Sequence, residues 1–214
     1  MNKTRRTLVV AMAAALAPGS LVRAQQPAAV GYTTLQSALP LENPGKIEIA
    51  EFFWYGCIHC YNLESALDAW VPKLPPDAYF RRIPAVFNER WAVDASIYYS
   101  FEALGLLDKL HRPFFEAIHK DRLKTDNPEA LGEWLTKKGL DPKKFDATTK
   151  SFGVQSKTKR ASQMTGASRI DGTPAMMVQG RYTINAEQGG SGEGMLASAG
   201  RLIPVVRKML SGTK

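Results

Sequence analysis

The sequence predicts an α/β protein whose sheet-forming segments are separated by an all-helical insertion. Three observations carry this prediction. An Ile- and aromatic-rich strand at 46–55 runs directly into an amphipathic helix, residues 89–167 show only helical signals, and strand signals return at Ala175.

Taken in order, residues 25–45 form a polar lead-in punctuated by Pro27, Pro40 and Pro44, mostly loop with a short extended piece. Lys46–Tyr55 is apolar on both sides towards its end, the pattern of a buried central strand. Gly56 punctuates it, and a helix follows from Cys57 to about Val71. On that helix Leu63, Ala66, Leu67 and Trp70 recur at i, i+3, i+4 and i+7, one face. Pro72, Pro75 and Pro76 end it, and Ala78–Val86 is a second strand. Five helical segments follow: Trp91–Leu104, Leu106–Lys120, Pro128–Lys138, Pro142–Ser151 and Val154–Gly166. Gly105, the 125–128 turn, 139–142 and Gly153 separate them, and Pro113 is expected to start or kink the second. Ala175–Val178 and Tyr182–Asn185 form a hairpin through Gln179-Gly180-Arg181. A glycine-rich loop at 187–194 leads into a last helix, Met195–Leu210, with Pro204 inside it.

The chain has 214 residues, 44% of them hydrophobic, which supplies a sizeable core and excludes wholesale disorder. Its net charge is +8, but Lys3, Arg5, Arg6 and Arg23 fall in the first 24 residues, which contain no acid. The remainder has 24 basic against 20 acidic residues, a net charge of +4, and no long basic stripe. That balance argues against a nucleic-acid partner. Residues 1–24 read as a secretory signal: a positive start, an apolar run from Leu8 to Ala17, a helix-breaking Pro18-Gly19-Ser20, and Val22-Arg23-Ala24 before a cleavage near Gln25. Some ten apolar residues are too few to cross a hydrocarbon core of ~30 Å, so no stable membrane insertion is expected.

Export changes the meaning of the two cysteines. Cys57 and Cys60 are the only ones in the chain, and a loop so short removes little entropy from the unfolded state when it closes. Such a bond is a poor staple and suits opening and closing. Disulfide exchange needs one exposed thiolate and a second sulfur near enough to resolve a mixed disulfide. Cys57, at the helix start, meets unpaired N–H groups and the helix dipole, which lower its pKa. Cys60 lies three residues before Leu63 and seven before Leu67 and shares their buried face. Cys57 is therefore the attacking sulfur and Cys60 the sheltered, resolving one.

His59, between them, can stabilise the Cys57 thiolate by a hydrogen bond or as imidazolium; the alternative is a solvated surface side chain. A stabilised thiolate makes the disulfide oxidising. Structural zinc needs four ligands, and His111 and His119 lie far off in the helical block, so no metal is expected. Glu51 alternates with Ile47, Ile49, Phe53 and Tyr55 on one strand face, which buries a carboxylate beneath the cysteines. It either exchanges a proton with Cys60 or is paired with a lysine.

The block Ile-Ala-Glu-Phe-Phe-Trp-Tyr-Gly-Cys-Ile-His-Cys-Tyr-Asn-Leu-Glu (49–64) strongly resembles the DsbA-type periplasmic disulfide oxidoreductases, as does Gly-Thr-Pro-Ala-Met-Met-Val-Gln-Gly-Arg-Tyr (172–182). The resemblance implies a thioredoxin fold interrupted by a helical domain. The thioredoxin-like part covers 25–88 and 168–214, and the insertion 89–167. It implies Cys57 as nucleophile, His59 as stabiliser of its thiolate, Glu51 as a buried proton relay, and Pro174 as a cis-proline. The backbone at Thr173 and Pro174 would then pair with an extended substrate. Glu64 matches a family acid near the site, whereas the helix pattern alone reads it as an ordinary exposed residue. Two positions depart from the family. Ile58 stands where proline is common, and Thr173 replaces a frequent hydrophobic residue; threonine there also occurs in isomerases and reductases of the superfamily.

What the resemblance implies is a monomeric periplasmic oxidase, with the Cys57–Cys60 disulfide as its redox centre and no added cofactor. It passes that disulfide to reduced or unfolded exported proteins and is reoxidised by a DsbB-like membrane partner. Its rivals are an isomerase or reductase of the same superfamily and a thiol-independent peptide-binding chaperone. Phe53, Trp54 and Tyr55 belong mostly to the core, with some share in an apolar peptide-binding surface.

Overall fold

Ile47–Phe53 (β2) is buried at all seven positions, the only way a strand so apolar on both sides is accommodated. The computed structural model describes residues 31–212, so the expected leader, 1–24, lies outside the described residues. Four further strands complete one sheet: Thr33–Thr34 (β1), Ala78–Pro84 (β3), Ala175–Val178 (β4) and Tyr182–Ile184 (β5). Their order is β1-β5-β4-β2-β3. Only β2 and β3 run parallel, joined by the crossover helix Ile58–Trp70 (α1); the β2–β4, β4–β5 and β1–β5 pairs are antiparallel. The β2–β3 register sets Glu51 opposite Arg82, and the β2–β4 register sets Phe52 opposite Ala175. That second pairing brings residues 173–174 up to the end of β2 where the cysteines begin.

Between β3 and β4 lie Glu89–Ala103 (α2), Leu107–His119 (α3), Pro128–Lys137 (α4), Pro142–Thr149 (α5) and Phe152–Ala167 (α6); Ala186–Gly189 (α7) and Gly192–Ser211 (α8) close the chain. This is the α/β layout with a helical insertion that the sequence predicts. Differences lie at element ends, where side-chain caps decide. Ser151 accepts from the Val154 N–H, so α6 starts at Phe152 and takes in Gly153, the expected separator. Asn185 and Gln188 form a reciprocal capping box, which turns part of the expected 187–194 loop into α7. Ser191 likewise starts α8 three residues early. Pro113 neither starts α3 nor ends it. It sits in the helix interior, where Leu110, Phe114, Phe115 and Ala117 are buried around it, and that burial outweighs one missing backbone bond.

Two cores meet at β2. One face carries Ile47 and Ile49 against Leu63 and Leu67 of α1 and Leu196 and Leu202 of α8. The other core begins at Ala50 and Phe52 and continues through Phe101, Phe114, Trp134 and Phe145 of the helical block. Among the described residues, no helix is long and apolar enough to cross a membrane.

Candidate active site

Tyr55 and Gly56 carry the chain from β2 into α1, and Cys57 is the helix N-cap with extended backbone angles. A side chain at Gly56 has no room, since its Cβ would stand 2.3 Å from the Trp54 ring. The Cys57 sulfur accepts from the Cys60 N–H at 3.4 Å and lies 3.2 Å from the Thr173 carbonyl oxygen. Both cysteines are free thiols here, the reduced form of the expected disulfide pair. Thr173–Pro174 is a cis peptide. The structure thus brings together Cys57, Cys60, Thr173 and Pro174, although 113 positions or more separate the two segments.

The two sulfurs are unequal. Cys57 is half-buried and Cys60 fully buried. The Cys60 thiol, donating to the Cys57 sulfur, brings the Cys57 pKa down to about 5. Burial opposes this, and Thr173 with the N–H groups of Cys60 and His59 reinforces it. Burial instead pushes Cys60 well above an ordinary thiol. His59 is exposed, so its share in that stabilisation comes through its backbone N–H, and its ring lines an open cleft of about 330 Å³ with Leu63, Pro174 and Gly192.

Glu51 is fully buried on β2, and neither carboxylate oxygen accepts a hydrogen bond. Its partner is Arg82 rather than a lysine, with Nε 3.5 Å from Oε2. Burial raises the Glu51 pKa to about 8, against the attraction of Arg82 and with help from the Glu64 and Cys57 charges. Glu64 corrects the helix-pattern reading: it is 2% exposed, not a solvated surface residue. It is buried because Arg82 meets it with Nη2 at 3.0 and 3.1 Å and Nε at 3.3 Å, while His111 Nε2 stands 3.4 Å from Oε1. Burial works against the Glu64 charge, but His111 and Arg82 together hold its pKa below the usual carboxylate range.

Arg82 and His111 are the residues against the site acids that sequence reasoning missed. The available signal was Arg81-Arg82 inside a strand whose neighbour carries Glu48 and Glu51. Adjacent arginines point to opposite faces, and each finds a buried glutamate there, Arg81 bonding Glu48 at 2.9 Å. The expected aromatic surface is also reduced. Phe53 and Tyr55 are core, whereas Trp54 is half-buried, stacked on Trp91 at 4.2 Å and donating to Asp94 at 2.7 Å. Tyr55 is held at both ends by α3: its hydroxyl lies 2.9 Å from His111 Nδ1, and its carbonyl accepts from His119 Nε2 at 2.8 Å. Among the described residues, no group of three or more His, Cys, Asp or Glu is placed to hold a metal ion.

A half-buried low-pKa thiol, a buried high-pKa thiol three residues on and a buried acid beneath them constitute the apparatus of disulfide exchange. Comparison with known proteins agrees. The profile of the DSBA-like thioredoxin domain family matches residues 81–198. The thiol:disulfide interchange protein DsbA of Azotobacter vinelandii is 40% identical over 172 residues, 80% of each chain. That of Bordetella parapertussis is 38% identical over 211 residues, covering 97% of this chain, cysteine loop included, and all of the relative. The crystal structure of Pseudomonas aeruginosa DsbA superposes with a TM-score of 0.78 at 37% identity, covering 84% of this chain and 94% of the other. The chain therefore belongs to the DSBA-like thioredoxin domain family and is a thiol:disulfide oxidoreductase.

Proposed function

We propose that the chain works as a dithiol oxidase, giving its Cys57–Cys60 disulfide to reduced exported proteins. One observation carries this direction: the Cys57 pKa falls from 9.0 to about 5. Whatever stabilises the thiolate stabilises the reduced pair, and a stable reduced pair is an oxidising disulfide.

The steps follow from the geometry. A substrate thiolate attacks the Cys57 sulfur; the Cys57–Cys60 bond breaks, and Cys60 leaves with the electron pair. A thiolate is costly where Cys60 is buried, so it takes a proton, and Glu51, with a pKa raised to about 8, is the acid that holds one. A second substrate thiolate then attacks the substrate sulfur of the mixed disulfide. Cys57 departs as its stabilised thiolate, the substrate has lost two electrons, and the pair has gained them. The backbone at Thr173 and Pro174 pairs with an extended substrate beside Cys57, a mode that reads main chain more than side chains. His59 steadies the Cys57 thiolate through its N–H.

In this reading the first 24 residues direct a monomer to the periplasm, and a DsbB-like membrane protein reoxidises it. Residues 25–88 and 168–214 form the thioredoxin-like part and 89–167 the helical insertion. The test is the Cys57–Cys60 potential measured against a glutathione buffer, together with Cys57→Ser. An oxidising potential and loss of oxidase activity in the variant are expected. A potential as reducing as that of thioredoxin, about −270 mV, overturns the direction, and full activity of Cys57→Ser overturns the chemistry.

A further inference from the structure

Two buried carboxylates, Glu51 and Glu64, share one guanidinium, that of Arg82. Burial penalises each uncompensated charge, so a pair of acids facing one cation retains a proton between them. Which acid holds it depends on how differently the two anions are stabilised. Arg82 already leans to Glu64, to which it gives three hydrogen bonds of 3.0, 3.1 and 3.3 Å, while its Nε stands 3.5 Å from Glu51 Oε2.

His111 adds to that bias. Its ring, 8% exposed on α3, turns Nε2 towards Glu64 Oε1 at 3.4 Å and Nδ1 towards the Tyr55 hydroxyl at 2.9 Å. A lone pair on Nε2 would repel the carboxylate, so the ring hydrogen sits on Nε2 and the Tyr55 hydroxyl donates to Nδ1. Tyr55 thus fixes the tautomer that serves Glu64. No imidazole approaches Glu51, whose oxygens are without a hydrogen bond; the His111 Nε2–Glu64 approach, at 3.4 Å, is itself an electrostatic contact longer than a hydrogen bond. We propose that His111 is a positioning residue which, locked by Tyr55, reinforces Arg82 in assigning the shared proton to Glu51 and keeping Glu64 ionised.

The surroundings are consistent with this. The groups facing the imidazole are Tyr55 beyond β2, Glu64 and Asp68 on α1, Arg82 on β3 and Tyr98 on α2. Burial pushes the His111 pKa down, against the pull of Glu64, which favours the neutral ring. Glu51 faces Arg82, Glu64 and the two cysteines. The placement of the proton stands on this geometry alone; its catalytic consequence rests on the reading of Glu51 as proton partner of Cys60.

The experiment is a carboxyl-carbon NMR titration of Glu51 and Glu64 in the reduced full chain, for wild type, His111→Phe, Tyr55→Phe and His111→Gln. Wild type is expected to show a high Glu51 midpoint and a low Glu64 midpoint. In His111→Phe they converge, Glu51 falling and Glu64 rising by at most about one pH unit, the limit set by a full hydrogen bond to an ionised group. Tyr55→Phe, a smaller change to the core, moves both in the same direction by less, and His111→Gln, which keeps a donor, restores the separation. A folded His111→Phe or Tyr55→Phe protein with both midpoints unmoved overturns the proposal. Glu51→Gln separates the two readings: an unchanged pH profile of mixed-disulfide resolution removes the catalytic role of Glu51, while converging midpoints in His111→Phe still uphold the proton assignment.

Discussion

Glu51 lies in a strand buried at every position with both carboxylate oxygens unbonded, and such a residue costs stability whenever it ionises. Its pKa is raised from 4.5 to about 8, so below pH 4.5 both folded and unfolded chains hold the proton. Between 4.5 and 8 only the folded chain does, and stability is lost as the pH rises through that window. Glu51→Gln should therefore be more stable than wild type by a margin that grows from pH 4.5 to 8 and then levels, measured by urea unfolding at a series of pH values. Its reoxidation should also slow, by about 10²-fold, the lower end of what a positioned acid–base group contributes. Cys57 has the opposite sign. With its pKa lowered to about 5, the thiolate absorbance near 240 nm and the alkylation rate should titrate with that midpoint. The reduced pair then keeps one proton above pH 5, so the potential should fall by about 30 mV per pH unit there and about 60 mV per unit below it. The cysteines, Glu51 and Pro174 were legible because their neighbours in sequence show what they are. Arg82 and His111 were not: the Arg81-Arg82 doublet beside a glutamate-bearing strand was the one hint of the first, and His111 meets Glu64 from 47 positions away in the chain, where no local pattern points to it.

Elements were legible wherever apolar periodicity ran long, as in β2 and the five helices of the insertion. Their ends were not, because a serine that caps and a serine in a loop look alike until the backbone is seen. Ser151 and Ser191 each bond the N–H three residues on and set helix starts that glycine spacing placed differently. The helix caps predict their own cost: Asn127 accepts from the Glu129 and Ala130 N–H groups, and Asn127→Ala should destabilise by about 1 kcal/mol in thermal unfolding. The β4–β5 turn is more demanding. Gly180 has φ +61, and a Cβ there would stand 2.3 Å from the Leu39 carbonyl oxygen. Gly180→Ala should cost more than the ~1 kcal/mol of an ordinary cap, seen as a lower melting temperature, and should loosen the lead-in that bonds to Gly180 through the Leu39 N–H.

Across the whole molecule, β2 supplies side chains to both cores, Ile47 and Ile49 to one and Ala50 and Phe52 to the other. Neither core can be emptied without exposing that strand, so calorimetry and circular dichroism should report a single coincident transition. Phe114→Ala, in the helical block, should lower that one transition by about 3–5 kcal/mol rather than split it. The α/β class and the place of the insertion were readable because helical and strand signals segregate along the chain. How the insertion grips the dithiol was not, since Tyr55 meets His111 and His119 only once α3 has docked. The grip extends to Trp54, whose carbonyl accepts from the Cys57 N–H at 2.9 Å and whose ring stacks within 10° of parallel on that of Trp91 on α2. Two indoles so arranged are excitonically coupled, and a disulfide is a quencher of indole emission where a thiol is weaker. The enzyme thus contains its own optical gauge: its ultraviolet couplet reports whether the helical block is seated, and its emission reports whether the disulfide has been spent.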